Sequence, residues 1–148
     1  MPEKAKGFKL SAFKVDSGKM SKGAWVDWIP FVGVKARLLV ASINSPALKQ
    51  AERNLVRENA AALREDQSFE NMVRVLTPAI AEHLLLGWEG LLDDKTGEPI
   101  PHSKKAALDM LNSPELYFMA QDVYVAAGNR NTFRKEVFED SEKNSQTA

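Results

Sequence analysis

One stripe of apolar side chains in the middle of the chain constrains the fold more than any other feature. Its members recur at steps of three and four residues, the spacing of one face of an α-helix. They are Phe69, Met72, Val73, Leu76, Ile80, Leu84 and Trp88. The stripe predicts a helix that ends near Trp88, because Gly87 and Gly90 favour termination. Pro78 lies inside it, so the helix is either kinked there or restarts there after a Thr77 cap, and we favour the kink.

Serine and proline residues mark the starts of the other predicted helices. Ser45 and Ser103 can each accept a hydrogen bond from the free backbone N–H groups of a first helical turn, and Pro46 suits the first helical position. Ser113-Pro114 repeats this signal before the last long helix. Asp66-Gln67-Ser68 predicts a break and a new cap before the apolar stripe. These signals together predict four to five helices.

Residues 25–41 have the composition of β-strands. Trp25-Val26-Asp27-Trp28-Ile29 is rich in strand formers, and residues 34–38 alternate apolar and basic side chains. The pattern predicts a hairpin, which must pack on the helices because an isolated hairpin is only marginally stable. An odd number of steps separates Trp25 from Trp28, so we expect them on opposite faces of the strand. The outward tryptophan is then a candidate contact for a partner.

The two ends of the chain are rich in charged residues. Six lysines and two acidic residues lie in residues 1–22, interrupted by Phe8, Leu10, Phe13 and Val15. Two interpretations of this segment stay open: a solvated, flexible or partly ordered basic arm, or an arm that binds a partner through its aromatic residues. Residues 140–148 have nothing to bury, and we expect a disordered tail there.

The sequence therefore predicts an α+β fold that is mainly α-helical. A small N-terminal β-hairpin is expected to pack on four to five helices, followed by the disordered C-terminal tail. The chain has 148 residues, a length that suits one core, so residues 1–139 are expected to form a single domain.

The composition excludes several classes of function. The chain has no cysteine, which excludes disulfides, thiolate zinc sites and cysteine nucleophiles. Twenty basic residues balance twenty acidic ones, which disfavours nucleic-acid binding as the main role. No apolar run is long enough to span a membrane, and residues 1–7 lack the apolar segment of a signal peptide. We therefore expect no nucleic-acid or membrane partner, and the absence of cysteine fits a reducing cytoplasm.

No set of residues has the spacing of a catalytic or metal site. His83 lies beside the apolar stripe, where a partly buried or interface histidine is favoured over a ligand. His102 precedes Ser103, and helix capping by the serine is favoured over a His–Ser pair, because no third residue completes a triad. The acidic turn at residues 93–98 has Lys95 at a position where a calcium loop needs a ligand. We therefore expect no enzymatic activity, no cofactor and no metal.

A series of motifs in the second half of the chain carries a family resemblance. A helix leads into Leu86-Gly87-Trp88-Glu89-Gly90-Leu91, an acidic turn follows, and Gly97-Glu98-Pro99-Ile100-Pro101 precedes the capped helix start at Ser103. In this order the motifs resemble the tail assembly chaperones of long-tailed, siphovirus-type bacteriophages. Gly23-Ala24-Trp25-Val26-Asp27, followed by a strand, is similar to the N-terminal third of that family. The chain departs from the family pattern at residues 29–34, where the family often has a short polar turn.

The resemblance implies a role in phage tail assembly, in the cytoplasm of the host bacterium. Such a chaperone binds the tape measure protein, keeps it soluble, helps to recruit tail tube subunits and is absent from the mature virion. The resemblance also implies self-association. Residues implied as family-motif or partner-binding positions are Trp25, Trp28, Gly87, Trp88 and Gly90. Two other classes stay open: a structural head–tail connector or tail-completion protein, and a small DNA-binding regulator.

The resemblance further implies a longer form of the protein, made by a programmed −1 ribosomal frameshift, whose extension engages the tail tube protein. Glu142-Lys143-Asn144 can be encoded by GAA, AAA and AAC, which contain the slippery run A-AAA-AAC. The alternative interpretation of these residues is a random polar tail. The gene distinguishes the two, because GAG or AAG at the first two codons destroys the run.

Overall fold

A computed structural model describes residues 6–135 of the chain. The predicted tail at residues 140–148, with Glu142, Lys143 and Asn144, lies outside the described residues. Within them, three strands and six α-helices follow one another as α1 (Ser17–Lys22), β1 (Ala24–Phe31), β2 (Val34–Val40), α2 (Pro46–Glu58), α3 (Ala60–Glu65), α4 (Phe69–Ala79), β3 (Leu85–Glu89), α5 (Lys104–Leu111) and α6 (Tyr117–Gly128). The predicted α+β, mainly α-helical class is confirmed.

The strands form one antiparallel sheet in the order β1-β2-β3. The predicted hairpin is present, with Ala24 opposite Val40 and Trp28 opposite Ala36. Its second strand also pairs with β3, where Leu38 lies opposite Trp88. The hairpin therefore supplies two strands of a three-stranded sheet. The third strand is a segment for which the sequence predicted a helix.

The predicted end of the long helix near Trp88 is wrong. The helix α4 continues through Pro78 but ends at Ala79, and a π-helical turn at Ile80–Leu84 then leads into β3. Thr77 starts no new helix, since its hydroxyl donates to the Val73 carbonyl at 2.9 Å. A spacing of four residues is compatible with one face of a helix and with one face of a strand. The stripe could therefore cross from helix to strand without losing its apolar pattern.

The predicted helix starts are confirmed where a serine caps them. Ser45, Ser68 and Ser103 each accept a hydrogen bond from the backbone N–H three residues further on, at 3.0–3.2 Å. Ser113 makes no such bond, and a 3₁₀ turn at Pro114–Leu116 leads into α6 instead. Each cap satisfies a backbone donor that the helix itself leaves free.

The core lies between the inner face of the sheet and the helices. Leu38 and Val40 of the central strand are buried, as are Ile80 in the π turn and Val123 in α6. The apolar stripe of α4 faces the same cluster. Burial of this apolar area is the main favourable contribution to folding.

The described part of the N-terminal arm lies against the rest of the chain. Val15 pairs with Arg134 in a β-bridge, and the Asp16 N–H donates to the Phe133 carbonyl at 2.7 Å. The Asp16 carboxylate also caps α1. Three aromatic or aliphatic side chains of the arm are 69% to 72% exposed, namely Phe8, Leu10 and Phe13.

Glu52 and Tyr124 connect α2 to α6, and they give the protein a testable pH dependence. The Tyr124 hydroxyl donates to Glu52 Oε1 at 3.5 Å, while partial burial raises the pKa of Glu52 above its ordinary value of 4.5. A carboxyl whose pKa is raised in the folded state contributes stability below its unfolded pKa, and this contribution is lost as the pH rises through the folded pKa. Glu52→Gln, a neutral mimic, should therefore raise the melting temperature relative to wild type more at pH 7 than below pH 4.5.

Glu58→Gln is the matched control for this experiment, because it removes the same charge from an exposed position of α2. The melting-temperature difference between each variant and the wild type should be recorded at both pH values. A difference for Glu52→Gln that does not change with pH would contradict the role of burial.

Candidate partner-binding surface

The candidate site forms where the β1–β2 hairpin packs on the first two turns of α6. The indole Nε1 of Trp28 donates to Asp122 Oδ2 at 2.8 Å, and the Trp28 ring lies 6.1 Å from the ring of Phe118. Trp28 is half-buried on the inner side of β1. The hydrogen bond and the ring contact together hold the hairpin on α6.

An extra residue in β1 determines where Phe31 lies. Trp28 is opposite Ala36, but Phe31 is opposite Val34, so the pairing shifts by one residue between them. Such a bulge inverts the alternation of side chains, which brings Phe31 to the side that faces α6. There its ring meets the ring of Phe118 edge to face, at 5.6 Å between centroids.

The same bulge explains why β1 tolerates a proline. Pro30 lies within the bulge of an edge strand, where a missing N–H breaks no ladder hydrogen bond. Tyr117 extends the aromatic contacts on the other side of Phe118, at 5.4 Å between the two rings.

Apolar side chains at this end of the hairpin are open to solvent. Gly33, with a φ of 79°, makes the tight turn that places Val32 at the apex. Five residues here are between 54% and 102% exposed, and we call them the hairpin-tip surface: Ile29, Phe31, Val32, Val34 and Tyr117. Clustered apolar exposure of this kind typically marks a site that binds another protein.

Trp25 lies on the opposite face of β1 from Trp28, as the odd separation predicts. Its ring is 40% exposed, and the Arg37 guanidinium lies 5.0 Å from the ring centroid. Arg37 also pairs with Glu89 at 3.2 Å and approaches Asp27 at 4.0 Å. The outer face of the sheet is therefore a charged network with one aromatic side chain, in contrast to the apolar hairpin tip.

The two motif glycines differ in how strictly their positions require glycine. A Cβ on Gly87 would lie 3.4 Å from the Leu39 Cβ and 3.9 Å from the Trp25 ring, which are ordinary van der Waals distances. Gly90 has a φ of 90°, a conformation that other residues rarely adopt, and it ends β3 close to Ala36. The backbone conformation therefore requires glycine at position 90, whereas position 87 has space for a small side chain.

Trp88 connects the two motifs that carry the family resemblance. It is 9% exposed on the inner face of β3, and its Nε1 donates to the Ile100 carbonyl at 2.7 Å. The His102 ring lies 4.7 Å from the Trp88 ring, and its Nε2 is 3.0 Å from the Leu85 carbonyl oxygen. His102 thus makes a contact with β3 rather than a pair with Ser103, whose hydroxyl caps α5.

The predicted site residues fall in three separate places. Trp25 and Gly87 share the outer face of the sheet, Trp28 holds the hairpin on α6, and Trp88 lies inside, with Gly90 at the end of its strand. Sequence reasoning missed the exposed hairpin tip and the aromatic residues of α6. The available signal was Pro30-Phe31-Val32, an apolar run at a predicted turn, where polar residues are usual.

Histidine and acidic side chains do not assemble into a metal site in the described part of the chain. Within residues 6–135, no cluster of three or more His, Asp or Glu side chains is arranged to hold a metal ion. His83 is partly buried, and its Nε2 lies 3.9 Å from a Glu82 carboxylate oxygen. Among the helices of residues 6–135, none is long and apolar enough to span a bilayer.

Comparison with known protein families identifies a family for this chain. A family model described as YdaY prophage protein matches residues 43–144. No curated protein and no solved structure matches the chain. The matched segment contains α2 to α6 and β3, whereas β1 and β2 precede it. Because the match spans more than half of its length, the chain belongs to the YdaY prophage protein family and is a phage-derived protein.

Proposed function

We propose that this phage-derived protein is a tail assembly chaperone that binds and solubilises the tape measure protein through its hairpin-tip surface. The observation that carries the proposal is the exposed apolar cluster around Val32, at the end of an otherwise well-paired hairpin. A monomer gains nothing in stability from apolar side chains that stay in water. Binding to an apolar stripe of a client would bury them.

The aromatic residues behind the tip support the proposal. Phe118 contacts both Trp28 and Phe31, and Asp122 fixes the Trp28 indole, so the tip is held on α6 before any client arrives. A surface already held in its binding conformation loses little entropy on association. An elongated helical client offers repeated apolar stripes, and several chaperone copies on one client would bind with avidity.

The proposal assigns the chain a binding role and no enzymatic activity. It places the protein in the cytoplasm of the host bacterium during assembly and outside the mature virion. Self-association and recruitment of the tail tube protein by a longer, frameshifted form belong to the same proposal. The codons of three residues would form the frameshift site, and these residues lie outside the described part of the chain: Glu142, Lys143 and Asn144.

The first test is co-expression with the tape measure protein of the same phage, with the soluble fraction of the client measured. Wild-type chaperone should raise that fraction and co-purify with the client. Val32→Ser with Val34→Ser should lose most of the effect, because both side chains are exposed and their loss removes contact area without disturbing the core.

Leu92→Ser with Val125→Ser is the matched control, since both residues are exposed apolar side chains outside the hairpin tip. All variants should first be shown to have the wild-type melting temperature. Equal client solubility with the tip variant and the wild type would reject this surface. If the wild-type protein had no effect on the solubility of the client, the chaperone role would be rejected. The presence of the wild-type protein in purified virions would also reject that role, in favour of a structural virion protein.

A further inference from the structure

A row of basic side chains follows one face of α2. Lys49, Arg53 and Arg57 are spaced four residues apart, so they line up along the helix over roughly 12 Å. All three are exposed, and Val56, which is 44% exposed, lies beside them. The row shares no residue with the hairpin-tip surface, so a binding role for it is independent of the proposed chaperone role.

Neutral side chains hold the two arginines of this row. Arg53 Nη2 donates to Gln50 Oε1 and Arg57 Nη2 donates to Asn54 Oδ1, each at 2.9 Å. Gln50 Nε2 donates in turn to Asn54 Oδ1 at 3.1 Å, which joins the two pairs. This amide ladder restricts the guanidinium groups, yet it supplies no negative charge to neutralise them.

The row keeps a net positive charge, although the Glu52 carboxylate lies on the same face of α2 and attracts Lys49 electrostatically. Among residues 6–135, no carboxylate lies within 4.0 Å of the cationic nitrogens of Lys49, Arg53 or Arg57. Arg37 on the sheet, by contrast, has two carboxylates near it. Glu52 of the same helix accepts a hydrogen bond from Tyr124 of α6.

We infer that this face of α2 binds an acidic helical segment of a partner protein. Carboxylates at four-residue spacing on such a segment would match the spacing of the row, and an arginine guanidinium binds a carboxylate through two parallel hydrogen bonds. An aliphatic side chain between those carboxylates would cover Val56. The ladder makes the match favourable, because side chains already held in place lose less freedom on binding.

Charge and size favour a protein partner over nucleic acid. The full chain has a formal net charge of zero, and Glu52 and Glu58 lie on the same helix as the row. A phosphate backbone would extend beyond three cations, and nucleic-acid binding usually needs a wider basic surface. A short acidic helix needs only the length of the row itself.

The test uses a fluorescein-labelled, alanine-based helical peptide with three glutamates spaced four residues apart and a central leucine. Fluorescence anisotropy at low ionic strength should detect binding to the full-length chain. The same peptide with glutamine in place of glutamate should bind roughly tenfold more weakly or not at all. Added salt should weaken binding of the glutamate peptide, because the contacts are exposed ion pairs.

The variant Lys49→Gln, Arg53→Gln, Arg57→Gln should lose the binding at an unchanged melting temperature. Its control is Lys9→Gln, Lys14→Gln, Lys22→Gln, which removes the same charge from the N-terminal arm and should bind as the wild type does. Equal loss in both variants would mean a non-specific effect of net charge and would overturn the inference. The inference would also be overturned if the α2 variant bound the glutamate peptide fully, or if the wild type did not bind it. A third contrary result would be that the wild type binds duplex DNA but not the peptide, and that the α2 variant loses the DNA binding.

Discussion

Replacing Trp88 by alanine should lower the free energy of unfolding by roughly 3–5 kcal/mol. The side chain is almost fully buried on the inner face of β3, opposite Leu38 of the central strand. Its loss would leave a cavity and remove the hydrogen bond to the Ile100 carbonyl, so the segment that leads into α5 would lose one of its attachments to the sheet. Urea unfolding followed by circular dichroism measures the change.

Trp88→Phe separates the ring from its N–H group. Phenylalanine keeps most of the buried ring but cannot donate to Ile100, so a loss of about 1–3 kcal/mol is expected, smaller than for alanine. A Trp88→Ala variant with wild-type stability and impaired client binding would contradict the assignment of Trp88 to the hydrophobic core. It would mean that Trp88 contacts a partner instead of the core.

Leu84→Ala should cost roughly 2–5 kcal/mol, the range for large-to-small changes in a core. Leu84 ends the π-helical turn and is 0% exposed, and its carbonyl accepts from the Ala41 N–H at 3.0 Å. The comparison is Phe69→Ala, at the N-terminal end of the same apolar stripe. Phe69 is 45% exposed, and its ring lies 6.1 Å from the ring of Tyr124, so its replacement should cost clearly less despite the larger side chain.

These two variants distinguish the observed path of the chain from a single straight helix. In one continuous helix, both ends of the stripe would face the same core and both replacements would be costly. A larger loss for Phe69→Ala than for Leu84→Ala, measured by the same urea titration, would contradict the burial described for the π turn.

Helix starts could be predicted from the sequence because their causes are local. Ser45, Ser68 and Ser103 each bond to a backbone N–H only three residues away, so the signal and the structure occupy the same few positions. The hairpin could be predicted for a similar reason, since its strands adjoin in sequence and alternate in character. Local chemistry of this kind depends little on the rest of the fold.

The third strand could not be predicted, because its partner is distant in sequence. Leu85–Glu89 pairs with residues 37–40, nearly fifty positions earlier, and nothing inside the segment itself indicates that pairing. The apolar stripe continued through it and favoured a helix. The hairpin tip could not be predicted for a related reason. An apolar turn is a candidate binding surface only if no other element covers it, and the structure is needed to show that Val32 is uncovered in the described part of the chain.

The position of the central strand has a consequence for how the protein can be divided. The family match begins at Ile43, yet β3 inside the matched segment takes its backbone partners from β2, which precedes it. Leu38 and Val40 also contribute buried side chains to a core whose other buried members lie in the matched segment. A fragment cut at the boundary of sequence similarity would expose a strand edge and an apolar face, the conditions under which chains aggregate. The segment that the family model matches is therefore shorter than the segment that packs into one core, and a fragment made for expression should begin before Ala24.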